Sequence, residues 1–275
     1  MNIYSATPHQ AGNGAQMYNP IPGAGIKQIS PFVLLDHFVA NAAANFIFQF
    51  PPHPHKGFAA VSVLLSGAIL HQDSLGSIGS LGSGDVQWME AGSGVVHSEA
   101  ITNPFPHNAK IENLQIWINE PAVAKKNKAF YQEAKANEIP QIELKNGLAR
   151  LIAGSYHKEQ SKLVTQTPLF ILDFIVEPNF EHELILPKGF QAGIYVTEGE
   201  IKVKSKVLSQ FELAHIEPNT TKIELIAKEN ARFVILAGEP IFEPIVQYGP
   251  FVMNNMQEIS KAFQEYENGE FGDIR

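Results

Sequence analysis

The chain has 275 residues, 44% of them hydrophobic and 17% charged, with a formal net charge of −8 and no cysteine. That length and apolar content suit one large or two ordinary globular domains. An acidic balance without any Lys/Arg-rich run argues against direct nucleic-acid binding, and the missing cysteines exclude disulfides, thiolate metal sites and a thiol nucleophile.

The first eight residues carry neither a basic nor an apolar leader segment, so no signal peptide is expected. No apolar run approaches ~18 residues, so no membrane-spanning helix is expected. A reducing, cytoplasmic setting fits the absence of cysteine. Short apolar runs at residues 32–35, 46–48, 61–65 and 114–118 are broken by Gly, Pro and Asn. This pattern predicts strands. A later series at 148–152, 169–176, 194–196, 200–203, 222–226 and 233–236 repeats it, and strands at such spacing suggest sandwiches or barrels.

Two segments carry chemistry. His53-Pro54-His55 and His97-Ser98-Glu99 each place two metal-competent side chains two residues apart. On a strand, residues i and i+2 share a face, so two such pairs on facing strands can converge on one ion. The set offers three imidazoles and one carboxylate. Gly57, Gly92 and Gly94 beside them permit tight turns. The remaining histidines read as ordinary. His37 suits a buried, hydrogen-bonded imidazole, and His71 the end of a strand. His9, His107, His157, His182 and His215 lack a partner at useful spacing, and most of them read as surface residues. The glycine-rich stretch 76–84 is followed by a strand pattern and not a helix, so it reads as a hairpin connection and not a phosphate loop.

Residues 187–199 lie over 55–67 at an offset of 132, with Lys, Gly, Phe, Ala and the final Gly coinciding. Such an internal repeat argues for a duplicated domain. In this register Ile185 and Pro187 replace His53 and His55, and Lys222 falls opposite His97, so the second copy should be metal-free. The polar stretch 125–140 reads as the linker. Near the end, Asn255 is a good N-cap with Glu258 at the reciprocal position, Met256, Ile259, Phe263 and Tyr266 form a helical stripe, and Gly269 is a stop.

Several of these segments resemble the pirin family. They are His53-Pro54-His55-Lys56-Gly57-Phe58, Asp73-Ser74-Leu75-Gly76, Gly84-Asp85-Val86-Gln87-Trp88-Met89 and Ala91-Gly92-Ser93-Gly94-Val95-Val96-His97-Ser98-Glu99. Residues 31–38, 114–119, 249–254 and 269–272 fit as well. The resemblance implies an all-β bicupin: two cupin-type β-barrels with a short C-terminal helix. The expected division is 1–130 for a metal-binding barrel and 140–275 for a metal-free barrel that carries the helix. The family's metal ligands fall on His53, His55, His97 and Glu99, and the implied ion is Fe(II). Zn, Ni, Cu, Mn and Co also suit an N/O site. Some pirins open the flavonol ring of quercetin with O2, and eukaryotic members are nuclear cofactors of transcription regulators.

Two functions are therefore carried forward. The first is a quercetinase-type dioxygenase acting on a small flavonol-like aromatic, with Glu99 as the general base. The alternative is a non-catalytic metal- or redox-sensing protein that regulates a protein partner, which the acidic charge suits better than DNA. A monomer without membrane association is expected. Lys56 stands where the family usually has Arg, Ala59 where it has Glu, Gln72 where Arg is frequent, and Glu90 where a small or hydroxylated residue is usual. These departures lie near the ligand positions and bear on the substrate more than on the metal.

Overall fold

The alternating pattern folds as strands, and the computed structural model is all-β with one α-helix, Met256–Glu267, among the described residues. It describes residues 1–12, 15–23, 25–42, 49–101 and 109–274; the run 46–48 and His107 lie outside them. No described helix is long and apolar enough to cross a membrane.

Two compact units are interleaved in sequence. The first comprises residues 9–17, 36–136 and 241–275; the second comprises 1–8, 18–35 and 137–240. The expected linear division fails at both ends of the chain. Asn2–Ser5 pairs antiparallel with Glu212–His215, so the first residues belong to the second unit. The terminal helix belongs to the first unit, where Ile259 and Ala262 pack with Val96, Phe251, Met253 and Phe271. The stretch 125–140 is also more than a linker, because Phe130–Ala134 pairs with Val86–Glu90. Within 76–84, Ile78–Gly82 is a strand paired with Ala68–Asp73, not a bare connection.

One strand order recurs in two pairs of sheets. A four-stranded sheet runs Gln49–His55, Val95–Ile101, Ala68–Asp73, Ile78–Gly82, and its counterpart runs Phe180–Ile185, Lys222–Ala227, Glu200–Val203, Lys206–Ser209. Phe130–Ala134, Val86–Glu90, Phe58–Ser66, Ala109–Asn119 and Phe32–Ala42 neighbour one another in that order. So do Asn2–Ser5, Glu212–His215, Gln191–Glu198, Ala231–Gly238 and Leu169–Val176. His97 pairs with His53, and Lys222 pairs with Ile185. The register inferred from the repeat thus matches the strand pairing.

The interiors differ. In the second unit Leu172, Phe174, Phe180, Leu225, Phe233 and Ile235 join one continuous apolar cluster. The first also buries Phe58, Val61, Val63, Trp88, Leu114 and Ile116, but it buries His55, His71, His97 and Glu99 too. Gln49–His55 carries Pro51, Pro52 and Pro54, and it lies at a sheet edge, where missing N–H donors cost no ladder bonds. Gly57 turns the chain at φ +85°, and a Cβ there would stand 2.2 Å from the Val252 carbonyl oxygen. Only glycine lets the closing segment Phe251–Met253 run against this turn.

The helix buries a narrower stripe than its sequence suggests: Ile259 and Ala262 are buried, but Met256 is 51% exposed. Its start is capped as expected, the Asn255 side chain accepting from the Glu258 N–H at 2.9 Å. The reciprocal Glu258 carboxylate accepts from Asn254 N–H, one residue earlier than a standard box. Ile259→Ala should cost about 2–5 kcal/mol in urea unfolding. Met256→Ala should change stability by less than about 0.5 kcal/mol.

Candidate metal centre

His53 and His55 share a face of their edge strand because they are two residues apart. Val95–Ile101 lies beside it and sets His97 directly opposite His53. A bulge between His97 and Glu99 shifts the register so that Glu99 faces Phe50. Bulges of this kind re-aim side chains next to functional sites. The ring centroids of His53, His55 and His97 lie 4.3–4.8 Å apart, and the ligand atoms of the three are all within 4.8 Å of one another.

Glu99 takes a different place in this geometry. It falls within the same 4.8 Å limit of His97 and His71, as a second group that shares His97 with the first. Ser62 Oγ lies 3.3 Å from Glu99 Oε1 and 2.8 Å from Gln115 Oε1, and its one proton can go to either. The structure therefore brings all four expected residues to one wall and adds His71, which the sequence reading set aside. His71 is wholly buried within Ala68–Asp73 and stacks on Tyr131 at 4.9 Å. Its signal was present as His71-Gln72-Asp73, another pair of polar side chains at i and i+2. His37, by contrast, is buried 2.9 Å from a Glu112 oxygen, as expected. His9 and His157 are exposed, and His182 and His215 are half-buried.

The electrostatics favour neutral rings. Burial, reinforced by the neighbouring His53, lowers the His55 pKa to about 3. Burial first, then His55, His53 and His71, holds His97 well below the usual imidazole range. Burial pushes the Glu99 carboxyl upward against the pull of His71, His53 and the Ser62 hydroxyl. His53 Nδ1 is 2.8 Å from Pro51 O, and His55 Nδ1 is 3.2 Å from Pro250 O. A carbonyl can only accept, so both rings carry their proton on Nδ1 and leave Nε2 with a lone pair. His97 Nε2 is buried with no hydrogen-bond partner. An orphaned buried nitrogen beside two imidazoles of the same tautomer fits a divalent transition metal.

The site opens on a cavity of about 370 Å³. Met17, Phe38, Phe50, Ile69, Ile101 and Trp117 supply its apolar lining, and Asp36, Asn113 and Gln115 add polar groups. Asn113, Gln115 and Trp117 alternate along Ala109–Asn119, which explains why all three face it. A mainly apolar cleft with a few convergent polar groups is the usual form of a small-molecule site.

Comparison with known proteins agrees with this geometry. Residues 14–118 match the Pirin family and residues 171–272 match the Pirin C-terminal cupin domain. The chain is 38% identical to Pirin-1 of Arabidopsis thaliana, over 95% of this chain and 90% of that protein. The chain belongs to the pirin family. A quercetin 2,3-dioxygenase structure from Acinetobacter baumannii superposes with a TM-score of 0.92 at 33% identity, covering 100% of this chain and 98% of that one. The Escherichia coli pirin YhhW, solved in complex with nickel(II), superposes with a TM-score of 0.70 and covers 87% of this chain and 99% of its own. At 17% identity that likeness speaks for the fold alone. The architecture is that of a bicupin, and this pirin keeps its candidate metal centre in the first unit.

The buried neutral histidines set a pH dependence. The unfolded chain binds protons at His55 near pH 6.5, whereas the folded chain resists until about pH 3. Stability is therefore complete above about pH 6.5 and is lost as pH falls below it, with a slope of up to about 1.4 kcal/mol per pH unit for each such group. Urea midpoints of metal-free protein should fall from pH 7 to pH 5, and His55→Gln should flatten that slope. An unchanged slope in the variant would show that His55 is not held neutral.

Proposed function

We propose that this pirin is a metal-dependent dioxygenase of the quercetinase type, acting on a flavonol-like aromatic with O2. The observation that carries the reading is the meeting of three imidazoles and Glu99 on the wall of an aromatic-lined cavity. The A. baumannii relative's name supports the choice of reaction class. His53, His55, His97 and Glu99 would hold the ion. When bound, it supplies Lewis acidity toward a substrate hydroxyl and a redox partner for O2.

The residues of the chain do the remaining work. Trp117, Phe38 and Phe50 offer apolar faces to a flat ring and exclude water around it. Glu99 accepts the proton of a substrate hydroxyl, and its burial raises its basicity toward that task. Ser62 Oγ, 3.3 Å from Glu99 Oε1, can orient the carboxylate by donating its one proton to that oxygen. Asn113 and Gln115 line the same wall and can bond further hydroxyls.

Iron-loaded protein should consume O2 with quercetin and not with a flavone that lacks the ring hydroxyl next to the ketone. Glu99→Gln should lower turnover by about 10²-fold or more while retaining most of the metal. Equal losses of turnover and metal would make Glu99 a ligand first. Elemental analysis should find about one ion per wild-type chain and a strong loss in His55→Ala and His97→Ala. Metal-replete protein that leaves O2 untouched would favour the sensing alternative.

A further inference from the structure

His53 and His55 hand their Nδ1 protons to backbone carbonyls, but His97 has no carbonyl behind it. Its Nδ1 lies 3.4 Å from Nδ1 of His71. Two ring nitrogens in hydrogen-bond contact need one proton between them, so one ring donates and the other accepts.

The surroundings of His71 decide which. Its Nε2 is 3.2 Å from Asp73 Oδ2. The other Asp73 oxygen accepts the backbone N–H of Leu75 and of Ser77, both at 2.9 Å. The carboxylate is thus fixed by the turn after the strand, and it can only accept. It holds the His71 proton on Nε2 and leaves Nδ1 bare. Gln87 Nε2 stands 3.0 Å from that same Nδ1, so its N–H and that of His97 share one lone pair. Gln87 Oε1 is buried without a partner. Rotating the amide would satisfy that oxygen only if His71 Nδ1 carried the proton, and Asp73 would then face a bare Nε2. Tyr131, stacked on the His71 ring at 4.9 Å, keeps its plane.

We infer that Asp73 and His71 are positioning residues: the Asp73–His71 pair holds the Nδ1–H tautomer of His97 and so leaves its buried Nε2 lone pair free for a metal. The inference deepens the metal reading above and rests on it. Neither residue lines the cavity; both act through His97. The three imidazoles then share one tautomer, two set by backbone and one by a side-chain relay.

Asp73→Asn is the discriminating variant. An asparagine can keep its oxygen on the Leu75 and Ser77 N–H groups and turn its NH2 toward His71. That reverses the His71 tautomer and removes the acceptor behind His97. Chelator-competition titration with zinc(II) should show a 10–100-fold loss of affinity. Long-range 1H–15N correlation of the imidazoles should show His97 moving from Nδ1–H to Nε2–H in metal-free protein, with His53 and His55 unmoved. Wild-type affinity together with an unmoved His97 tautomer would overturn the inference. Should the variant fail to fold, the same spectra of metal-free wild-type protein decide the matter. They should show Nε2–H on His71 and Nδ1–H on His97, and the reverse assignment overturns the inference. A zinc-induced shift of His71 Nδ1 to that of a ligated nitrogen would make His71 a ligand and also overturn it. Wild-type protein that binds no zinc while showing the expected tautomers would fail the metal reading alone.

Discussion

Three imidazoles crowded on one wall can serve as ligands only if each keeps its proton on the nitrogen facing away from the ion. That requirement places an acceptor behind every ring, and much of the first unit exists to supply them. Pro51 O comes from the edge strand itself. Pro250 O comes from the closing segment, nearly two hundred residues away in sequence, and must be held in place. Lys125 provides the clamp: its buried ammonium donates to Gly57 O at 2.6 Å, to Asn119 Oδ1 at 2.6 Å and to Val252 O at 2.8 Å. One cation thus ties the turn after His55 to the segment that caps His55. Lys56 adds a second tie, pairing with Glu265 of the helix and lying 5.3 Å over the Phe271 ring.

This anchoring gives some of the unusual residues beside the site a physical role. Ala59 and Glu90 are cross-strand partners. Ala59 alternates with Phe58 and Ala60, and so lies on the sheet face opposite that of Ser62. Glu90 and Glu120 are buried there together, with Lys125 close enough to pull both carboxyls down. Burial, together with Glu90, pushes Glu120 up to about 10, so the pair holds a proton between them at neutral pH. Burial lowers the Lys125 ammonium to about 8, opposed by the surrounding carboxylates. A carboxylate on the second strand of this pair therefore faces the clamp and not the cavity. Lys56 likewise spends its charge on Glu265. These departures bear on how the closing segment is held more than on what enters the cavity.

The parts legible in the sequence were those written at short range. His53/His55 and His97/Glu99 stood out because strand alternation turns a two-residue spacing into a shared face. The C-terminal helix stood out through Asn255, Glu258 and Gly269. The place of His71 is not foreseen although it obeys the same rule, because it reads as the end of a strand; Asp73 beside it serves the turn. Asp73 serves His71 too: one oxygen caps the turn and the other holds His71. The exchange of chain ends was not legible, since Asn2 finds His215 across more than two hundred residues and nothing local announces it. Ile78–Gly82 read as loop because Gly and Ser hide its alternation, and only Leu81 packs into a core from that strand.

The two units show what a β frame alone does not decide. They share strand order and even the register of the decisive pair, His53 with His97 and Ile185 with Lys222. Yet His97 is buried, whereas Ile185 and Lys222 are 37% exposed and carry a 66%-exposed ammonium side chain respectively. Where the first unit opens a cavity beside its three histidines, the second fills its middle with Phe174, Phe180 and Phe233, the first and last stacked at 4.8 Å. Placing imidazoles at 185 and 222 would restore the spacing but not the acceptors, the burial or the space. Within this frame, what sets the first unit apart stands behind its three histidines: a closing segment, a buried lysine and a histidine–aspartate pair, more than the strands that carry them.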